Sequence, residues 1–359
     1  MTTGDLVFQT YVPGKVILSG EHAVVNGYAA VVVPINAFLT LSIKRNQNAA
    51  VFTVISATTG TKEIFSPSEL SMLFIAPPQP RPTPCAAMVH ALALCAKARG
   101  LSSDTVISSI MGLTVSVDSE LPMGAGMGSS AALCTAMART AVHIVSQLPR
   151  EPEQRMSDSP LPLSSPPSLA PIQLDASVYD VALALEHLFH GKSSGIDVFC
   201  CLNPNLVTVS RTGVHSTLAM PEGAPGIEIV VVHSGVERST ADAVAMVQGN
   251  ADYKRVLGQI GAISAETARL LGEGMTGDAL ETALASEQHL EALGLSVPSI
   301  GHILSIGQQL SPPWVGKISG AGLGGAVIFP VVAGTRDTRP LLDAVRAAGF
   351  EAALYSTGC

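Results

Sequence analysis

The chain has 359 residues, of which 47% are apolar and only 13% are charged, and its formal net charge is −8. A chain of this length usually folds into more than one domain, and this apolar content is sufficient for large cores. The negative charge argues against nucleic-acid binding, because proteins of that class carry clustered positive charge.

The sequence also lacks the signatures of several other protein classes. No segment approaches the roughly 18 consecutive apolar residues of a membrane span, and no basic stretch followed by an apolar core marks a secretory leader. No C-x-x-C spacing occurs, so we expect neither a zinc site nor a disulfide framework. The cysteines are Cys85, Cys95, Cys134, Cys200, Cys201 and Cys359. We therefore expect a cytoplasmic protein without membrane or nucleic-acid partners.

Apolar residues recur at strand or helix spacing along most of the chain. The predicted strands are 5–11, 16–18, 30–33, further strands within 36–56, then 113–117, 227–233, 314–319, 326–329 and 352–355. The predicted helices are 85–99, 131–145, 176–190, 239–247, 253–271, 277–293 and 341–348. We expect strand 326–329 to stop at Pro330. Residues 148–171 are rich in Pro and Ser and have no periodic apolar face, so we expect a weakly ordered insertion there.

A glycine-rich segment at 121–132, LPMGAGMGSSAA, is the most informative part of the sequence and is called the glycine loop below. Glycine lets a backbone approach a ligand closely, and a helix that starts at Ser129 would point its first N–H groups into the loop. This arrangement favours phosphate binding, although a glycine turn with an ordinary serine N-cap produces the same pattern. A Walker loop is excluded because no Lys precedes the serines, and the dinucleotide fingerprint is excluded because its sixth position is Ser129.

A second glycine-rich segment, 320–325, matches G-x-G-x-x-G but lies between two predicted strands. A dinucleotide site needs a helix after the glycines, so we predict a strand–turn–strand unit instead.

Two groups of polar residues stand between apolar runs. Lys15, Glu21 and His22 lie between the first buried strands, where either a site or a surface ion pair is consistent with the pattern. Glu186 and Asp197 flank the Gly-rich turn after helix 176–190, which could direct both carboxylates toward one pocket. The nearby pair His187 and His190 has no third ligand at a suitable spacing, so we do not expect a metal site built on them.

Three segments in this order resemble the motifs of the GHMP kinases, the family named for galactose, homoserine, mevalonate and phosphomevalonate. The first motif is 13–27, PGKVILSGEHAVVNG, the second is the glycine loop, and the third motif is 317–328, KISGAGLGGAVI. HGKSSGID after helix 176–190 and SEQHLEALGLSVPSI in the second half add to the resemblance. The match spans nearly the whole chain and is interrupted mainly by the Pro/Ser-rich insertion.

The resemblance implies an α+β fold of two domains. It implies an N-terminal α/β domain, residues 1–222, which contains the glycine loop and the insertion. It also implies a ferredoxin-like C-terminal domain, residues 223–359, with the active site in the cleft between the two domains.

The resemblance further implies an ATP-dependent small-molecule kinase with Mg²⁺ as cofactor. The implied reaction is phosphorylation of the terminal hydroxyl of mevalonate, a step toward isoprenoid and sterol precursors. The resemblance leaves open whether the protein is a homodimer. The resemblance assigns nucleotide binding to the glycine loop, through Pro122, Gly124, Ala125, Gly126, Met127, Gly128, Ser129 and Ser130.

By the same resemblance, Asp197 would accept the proton of the attacking hydroxyl and Lys15 would stabilise the developing charge. Ser130 and Glu186 would be the Mg²⁺ ligands. The substrate contacts would be Lys15, Glu21, His22, Asp197 and Thr240. The turn at 316–325 would brace the glycine loop or close on the nucleotide.

Two alternatives to this assignment were considered. A kinase of the same family that acts on phosphomevalonate or galactose would differ in the pocket beside Lys15. Phosphomevalonate would need additional cations there, and the sequence offers only Lys15 and Arg238. A catalytically silent ligand sensor is disfavoured, because a sensor would not need Lys15, Ser130, Glu186 and Asp197 together.

Overall fold

A computed structural model describes residues 5–46, 48–76, 82–122, 124–149, 176–191, 193–203, 206–209, 214–236 and 240–357. The strands are β1 Leu6–Ser19, β2 Ala30–Arg45, β3 Phe52–Ser56, β4 Thr61–Phe65, β5 Leu113–Ser119, β6 Leu206–Val209, β7 His215–Leu218, β8 Ile227–His233, β9 Lys317–Ser319, β10 Ala326–Val332 and β11 Glu351–Ser356. The helices are α1 Pro67–Ile75, α2 Pro84–Ala98, α3 Ser103–Ile110, α4 Ser129–Ser146, α5 Ala176–His190, α6 Ile196–Leu202, α7 Thr240–Gly249, α8 Tyr253–Gly272, α9 Thr276–Leu284, α10 Glu287–Ala292, α11 Pro298–Gln309 and α12 Arg339–Ala347.

The chain forms two compact units that are not consecutive in sequence. The first unit consists of Met1–Val12, Leu39–Ser119 and Leu133–Ser193. The second unit consists of Pro13–Phe38, Glu120–Ala132 and Ser194–Cys359. These units divide the chain differently from a single boundary between 222 and 223, and that boundary stays a prediction about the sequence.

The first unit is a sheet covered by helices. Its strand order is β4-β3-β5-β2, where the Leu39–Arg45 part of β2 pairs antiparallel with β5 and β3 pairs parallel with β5. Helix α2 begins at Thr83, whose side chain caps the N–H of Ala86, and it packs against α1 and α5. The buried side chains include Leu41, Ile43, Met88, Leu92, Val115 and Leu185.

The second unit contains a four-stranded antiparallel sheet in the order β11-β8-β10-β9. The chain runs from β8 through α7–α11 to β9 and β10, and then through α12 to β11, which is the split βαβ connectivity of ferredoxin-like domains. Helix α8 and strands β8 and β10 share one core, which includes Val230, Val232, Leu257, Ile260, Phe329 and Trp314. The predicted mixed α+β fold with a ferredoxin-like C-terminal part is therefore confirmed.

Most of the long periodic segments adopt the predicted structure. The predicted helix 176–190 is α5, the alanine-rich helix starts at the serines as α4, and the continuous apolar segment 227–233 is β8. Five of the six cysteines lie in the described part of the chain, and all five are buried thiols. Among the described residues, no helix combines the length and apolar character needed to cross a membrane.

Three predictions about elements were wrong in detail. The single helix predicted over 277–293 is divided into α9 and α10 around Ser286, whose hydroxyl donates to the carbonyl of Ala283 at 2.6 Å. Strand β10 continues through Pro330, because β9 stops pairing with β10 at Ile328 and no partner strand needs the missing N–H. The predicted strand 314–319 is also shorter than expected, because only the three residues of β9 pair with β10.

Candidate active site

The glycine loop leads directly into the N-terminus of α4. Gly124, Gly126 and Gly128 all have positive φ angles, between 74° and 76°. The N–H of Ala132 donates to the carbonyl of Gly128 at 2.8 Å, so the helical hydrogen bonds begin there. The N–H groups of the first helical turn are the ones that an α-helix leaves without an internal acceptor, which makes this end suited to an anion.

The loop lies against the part of β1 that carries Lys15. The N–H of Lys15 donates to the carbonyl of Met127 at 2.9 Å. A Cβ atom on Gly14 would come within 2.9 Å of that same carbonyl oxygen, and one on Gly128 would lie 2.8 Å from Cγ of Lys15. Glycine at 14 and 128 is thus required for the loop and the lysine to pack this closely.

Lys15 and Asp197 form an ion pair within the second unit. The distance from Nζ to Oδ2 is 2.8 Å, and the side chains are 4% and 30% exposed. Asp197 flanks the glycine-containing turn, as the sequence suggested, and lies in the first turn of α6, two residues after Gly195, whose φ is 77°. The pair therefore consists of a buried ammonium group and a carboxylate that solvent can reach.

Cys200 lies one turn after Asp197 on the same helix. Burial raises the pKa of its thiol, and this effect outweighs the positive charge of Lys15, which lowers it. The thiol is thus neutral and does not compete with Asp197 for a proton.

Glu186 is a buried carboxylate of the first unit. It lies on α5 and is 3% exposed, and the hydroxyl of Ser193 donates to its Oε2 at 2.7 Å. Its charge contributes, after burial, to the raised pKa values of Cys134 and Tyr179. In the described part of the chain, no group of three or more His, Cys, Asp or Glu residues is arranged to hold a metal ion.

Glu21 belongs to a buried charge cluster that the sequence did not predict. Its carboxylate pairs with the ammonium group of Lys317, and both side chains are fully buried. The backbone N–H of Ile318 donates to Oε2 of Glu287 at 2.6 Å. Burial raises the pKa of Glu287 to about 7, and the Ile318 N–H and Lys317 only partly oppose this effect.

His22 is held in an uncommon backbone conformation next to this cluster. Its φ is 57°, and its Nε2 lies 2.7 Å from the carbonyl oxygen of Ala321. Because a carbonyl oxygen only accepts, Nε2 carries the proton in this contact. Thr240, the remaining predicted substrate contact, is the exposed first residue of α7.

The structure thus brings Lys15, Asp197 and the glycine loop together, whereas Glu186 belongs to the other unit. The sequence analysis did not identify Lys317 and Glu287 as part of the site. For Lys317 the available signal was its position between apolar residues of a predicted strand. Arg238 and the insertion from residue 150 lie outside the described residues. The roles assigned to the individual site residues stay predictions.

Comparisons with known proteins agree with this geometry. The family model described as the N-terminal domain of GHMP kinases matches residues 87–157, which include the whole glycine loop and α4. A mevalonate kinase of Aeropyrum pernix is 29% identical over 326 residues, covering 88% of this chain and 86% of that protein. The human mevalonate kinase is 26% identical over 393 residues, with 96% and 92% covered. The chain is therefore similar to the GHMP kinases over most of its length. It is accordingly an ATP-dependent small-molecule kinase.

Solved structures of GHMP kinases share the fold over the whole chain. The mevalonate kinase of Methanococcus jannaschii has a TM-score of 0.74 at 18% identity, with 98% of both chains covered. The L. major mevalonate kinase, solved in complex with R-mevalonate, has a TM-score of 0.68 at 19% identity, with 99% and 98% covered. The phosphomevalonate kinase of Streptococcus pneumoniae follows at 0.66 and 16% identity, with 98% and 100% covered. The fold is therefore common to kinases with different acceptors.

Proposed function

We propose that this GHMP kinase transfers the γ-phosphoryl group of ATP to the terminal hydroxyl of mevalonate. The observation that carries the proposal is the Lys15–Asp197 pair beside the glycine loop, at 2.8 Å. The mevalonate kinases among its relatives, matched over most of their length, support mevalonate as the acceptor. Its cytoplasmic location and its number of subunits stay predictions.

Asp197 is suited to accept the proton of the attacking hydroxyl. An ion-paired carboxylate has free lone pairs, and about a third of this side chain is accessible. Lys15 is buried beneath Asp197. Its ammonium group therefore supplies positive charge without occupying the position that the attacking hydroxyl needs. Phosphoryl transfer depends mainly on such positioning and charge neutralisation, because the protein contributes little covalent chemistry.

The glycine loop would bind the nucleotide phosphates. Gly124 is exposed, and a Cβ atom there would meet nothing within 4 Å, so the loop backbone is accessible on that side. The N-terminus of α4 adds the partial positive charge of the helix dipole. The family resemblance extends this role to the remaining residues of the loop.

The donor groups of Ser130 and Glu186 suit Mg²⁺, which prefers hydroxyl and carboxylate oxygens. When bound, the ion would neutralise negative charge on the β- and γ-phosphates. In the protein itself, the hydroxyl of Ser193 orients the Glu186 carboxylate from one side.

Only one carboxylate oxygen of Glu21 is available for a hydrogen bond to the acceptor. Its Oε1 is engaged by Lys317, and within the described residues its buried Oε2 has no hydrogen-bond partner. A buried carboxylate oxygen of this kind costs free energy unless it receives a hydrogen bond. Because the Glu21 side chain is fully buried, a hydroxyl group of the acceptor would reach Oε2 only if the surrounding side chains moved.

A coupled ADP-release assay with four acceptors tests the proposed function. Purified protein is supplied with ATP, Mg²⁺ and either mevalonate, phosphomevalonate, galactose or homoserine. We expect mevalonate to give a kcat/KM at least about 100-fold above the others, a preference of about 2.7 kcal/mol. A preference for phosphomevalonate or galactose would assign the protein to another branch of the family. ATP binding without turnover of any acceptor would favour the ligand sensor.

A further inference from the structure

Alternate residues of the third motif contact the first motif. Lys317, Ser319 and Ala321 each bond the segment 17–22, through a side chain in the first two cases and through a carbonyl oxygen in the third. Residues two positions apart in an extended segment lie on the same face. One face of β9, together with the bend that follows it at Gly320 and Ala321, is therefore directed at the first motif.

The Ser319 side chain makes the two backbone hydrogen bonds with Ile17 that an adjacent strand would otherwise make. Its Oγ accepts from the N–H of Ile17 at 3.3 Å and donates to the carbonyl oxygen of the same residue at 3.2 Å. In a sheet, the N–H and C=O of one residue point to the same side and bond an adjacent strand. The Ser319 side chain is almost fully buried, so water does not replace these bonds. Ile17 lies two residues after Lys15 on β1.

Lys317 and Glu287 hold the third motif itself in place. The Lys317 ammonium group bonds Glu21 and also donates to the carbonyl oxygen of Ile318 at 2.6 Å. Glu287 accepts from the N–H of the same Ile318. Both polar groups of Ile318 are thus bonded to side chains, that of Lys317 fully buried and that of Glu287 partly buried, which restricts the strand that carries Ser319.

Two of the four glycines of the third motif, Gly322 and Gly324, are closely packed against other parts of the protein. A Cβ atom on Gly322 would lie 2.7 Å from Cβ of Leu295, and one on Gly324 would lie 2.5 Å from the carbonyl oxygen of Val236. These glycines therefore allow close contact with Leu295 and Val236 rather than with a ligand. This argues against direct contact of Gly322 and Gly324 with the nucleotide.

We propose that Ser319 is a positioning residue for phosphoryl transfer, which acts by holding Ile17 and with it the β1 segment that carries Lys15. The proposal rests on the proposed function, because Lys15 and Asp197 perform the step that it supports. A displacement of about 1 Å at a reacting group is sufficient to reduce turnover by roughly 100-fold. The third motif thus influences the transfer step through Lys15.

Ser319→Ala tests this role, with Thr276→Val as the matched control. Thr276 is equally buried, lies in the same unit and donates a hydroxyl hydrogen bond to the carbonyl of Pro225 at 3.0 Å. We expect similar decreases in melting temperature, because each variant loses a buried hydroxyl. Only Ser319→Ala is expected to lower kcat, by at least about tenfold, with the KM values for ATP and acceptor within about threefold of wild type.

Ser319→Cys provides an intermediate case, because a thiol is a weaker donor and acceptor of similar size. Its kcat should lie between those of wild type and Ser319→Ala. Hydrogen exchange of the Ile17 amide provides a readout that is independent of activity, and it should be faster in Ser319→Ala than in the control. Unchanged exchange, unchanged kcat, or a rise confined to the KM for ATP would each overturn the proposal. If the wild type prefers an acceptor other than mevalonate, the proposed function fails, and the ratio of variant to wild-type kcat is measured with that acceptor.

Discussion

At the scale of single residues, the unequal exposure of the Lys15–Asp197 pair is its most informative property. The lysine is 4% exposed and the aspartate 30%, so a hydroxyl substrate can approach the carboxylate but not the ammonium group. This arrangement separates the two tasks. Under the proposed function, Asp197 would receive the proton, and Lys15 would supply positive charge from a buried position, where water does not screen it.

Replacement of Asp197 by asparagine should abolish the proton acceptor and preserve the shape of the side chain. We expect kcat to fall by roughly 10²–10⁴-fold, which is the usual contribution of a positioned acid–base group, with ATP affinity nearly unchanged. Steady-state kinetics and calorimetric titration with ATP measure these two effects.

Asp252→Asn is the matched control, because Asp252 also pairs with a cation, Arg255, but its side chain is 68% exposed. Its kcat should equal that of wild type. Near wild-type turnover in Asp197→Asn would remove Asp197 from the role of base.

The partly buried carboxyl group of Glu287 should make stability depend on pH. Its pKa is raised from the ordinary 4.5 to about 7, so the folded state binds a proton more tightly than the unfolded state does. The associated stabilisation is complete below pH 4.5 and is lost as the pH rises through 7, a decrease of roughly 3 kcal/mol. Glu287→Gln cannot titrate, so its free energy of unfolding relative to wild type should increase over this interval.

Denaturant unfolding at pH 5, 6, 7 and 8 measures this difference. Glu281→Gln, at an exposed position on α9, is the control and should give a constant difference from wild type. A constant difference in Glu287→Gln as well would mean that Glu287 is ionised in the folded protein throughout the interval.

At the scale of elements, the approach of the glycine loop to β1 determines where the Lys15 side chain lies. An alanine at 128 would place its Cβ 2.8 Å from Cγ and 2.9 Å from Cε of Lys15, so the flexible lysine stem must move. We expect Gly128→Ala to reduce kcat by roughly 10–100-fold, because Nζ moves away from Asp197.

Gly334→Ala isolates the effect of the backbone conformation alone. Gly334 has φ of 71°, close to the 75° of Gly128, but nothing lies within 4 Å of a Cβ atom there. Both alanine variants should lose a similar stability, about 1–2 kcal/mol, from the positive φ. Thermal denaturation and steady-state kinetics of both variants separate the effect on stability from the effect on kcat. Equal kcat values would show that the Lys15 stem moves without displacing Nζ from Asp197.

Periodicity in the sequence was sufficient for elements whose burial pattern is regular. The α5 and β8 segments were predicted because their apolar residues follow the spacing of one helix face or of a doubly buried strand. Helix α6 was missed because its seven residues, IDVFCCL, are nearly all apolar and show no period. Pro330 was misjudged because its tolerance depends on where β9 ends, which the local sequence does not contain.

The candidate site divides in the same way. Lys15, Asp197 and the glycine loop stand out because glycines and isolated charges interrupt apolar runs. The Glu21–Lys317 pair joins residues 296 positions apart, and a contact of that kind follows from the tertiary fold rather than from local spacing. Its charge cluster could be recognised only once both motifs were placed in one unit.

At the scale of the whole molecule, the Pro/Ser-rich insertion is the part that the proposed chemistry does not use. Deletion of 150–168 leaves 147–149 and 169–175 between α4 and α5, a connection that can span roughly 30 Å. We expect kcat to stay within a few-fold of wild type, because this segment lacks the periodic apolar residues of a core. Expression yield, melting temperature and the ADP-release assay test this, and insoluble or inactive protein would show that the segment packs against the rest.

The interleaved composition of the two units has a consequence for biosynthesis. Ala23 shares a core with Leu341 and Val345, so a nascent chain that has already exposed the first motif has no complete core to bury it in. Vectorial folding, in which an N-terminal domain closes while the rest is still being translated, is therefore not open to the second unit. Its apolar strands lack their full core until Leu341 and Val345 have been synthesised, and exposed strands of this kind are prone to aggregate during that interval.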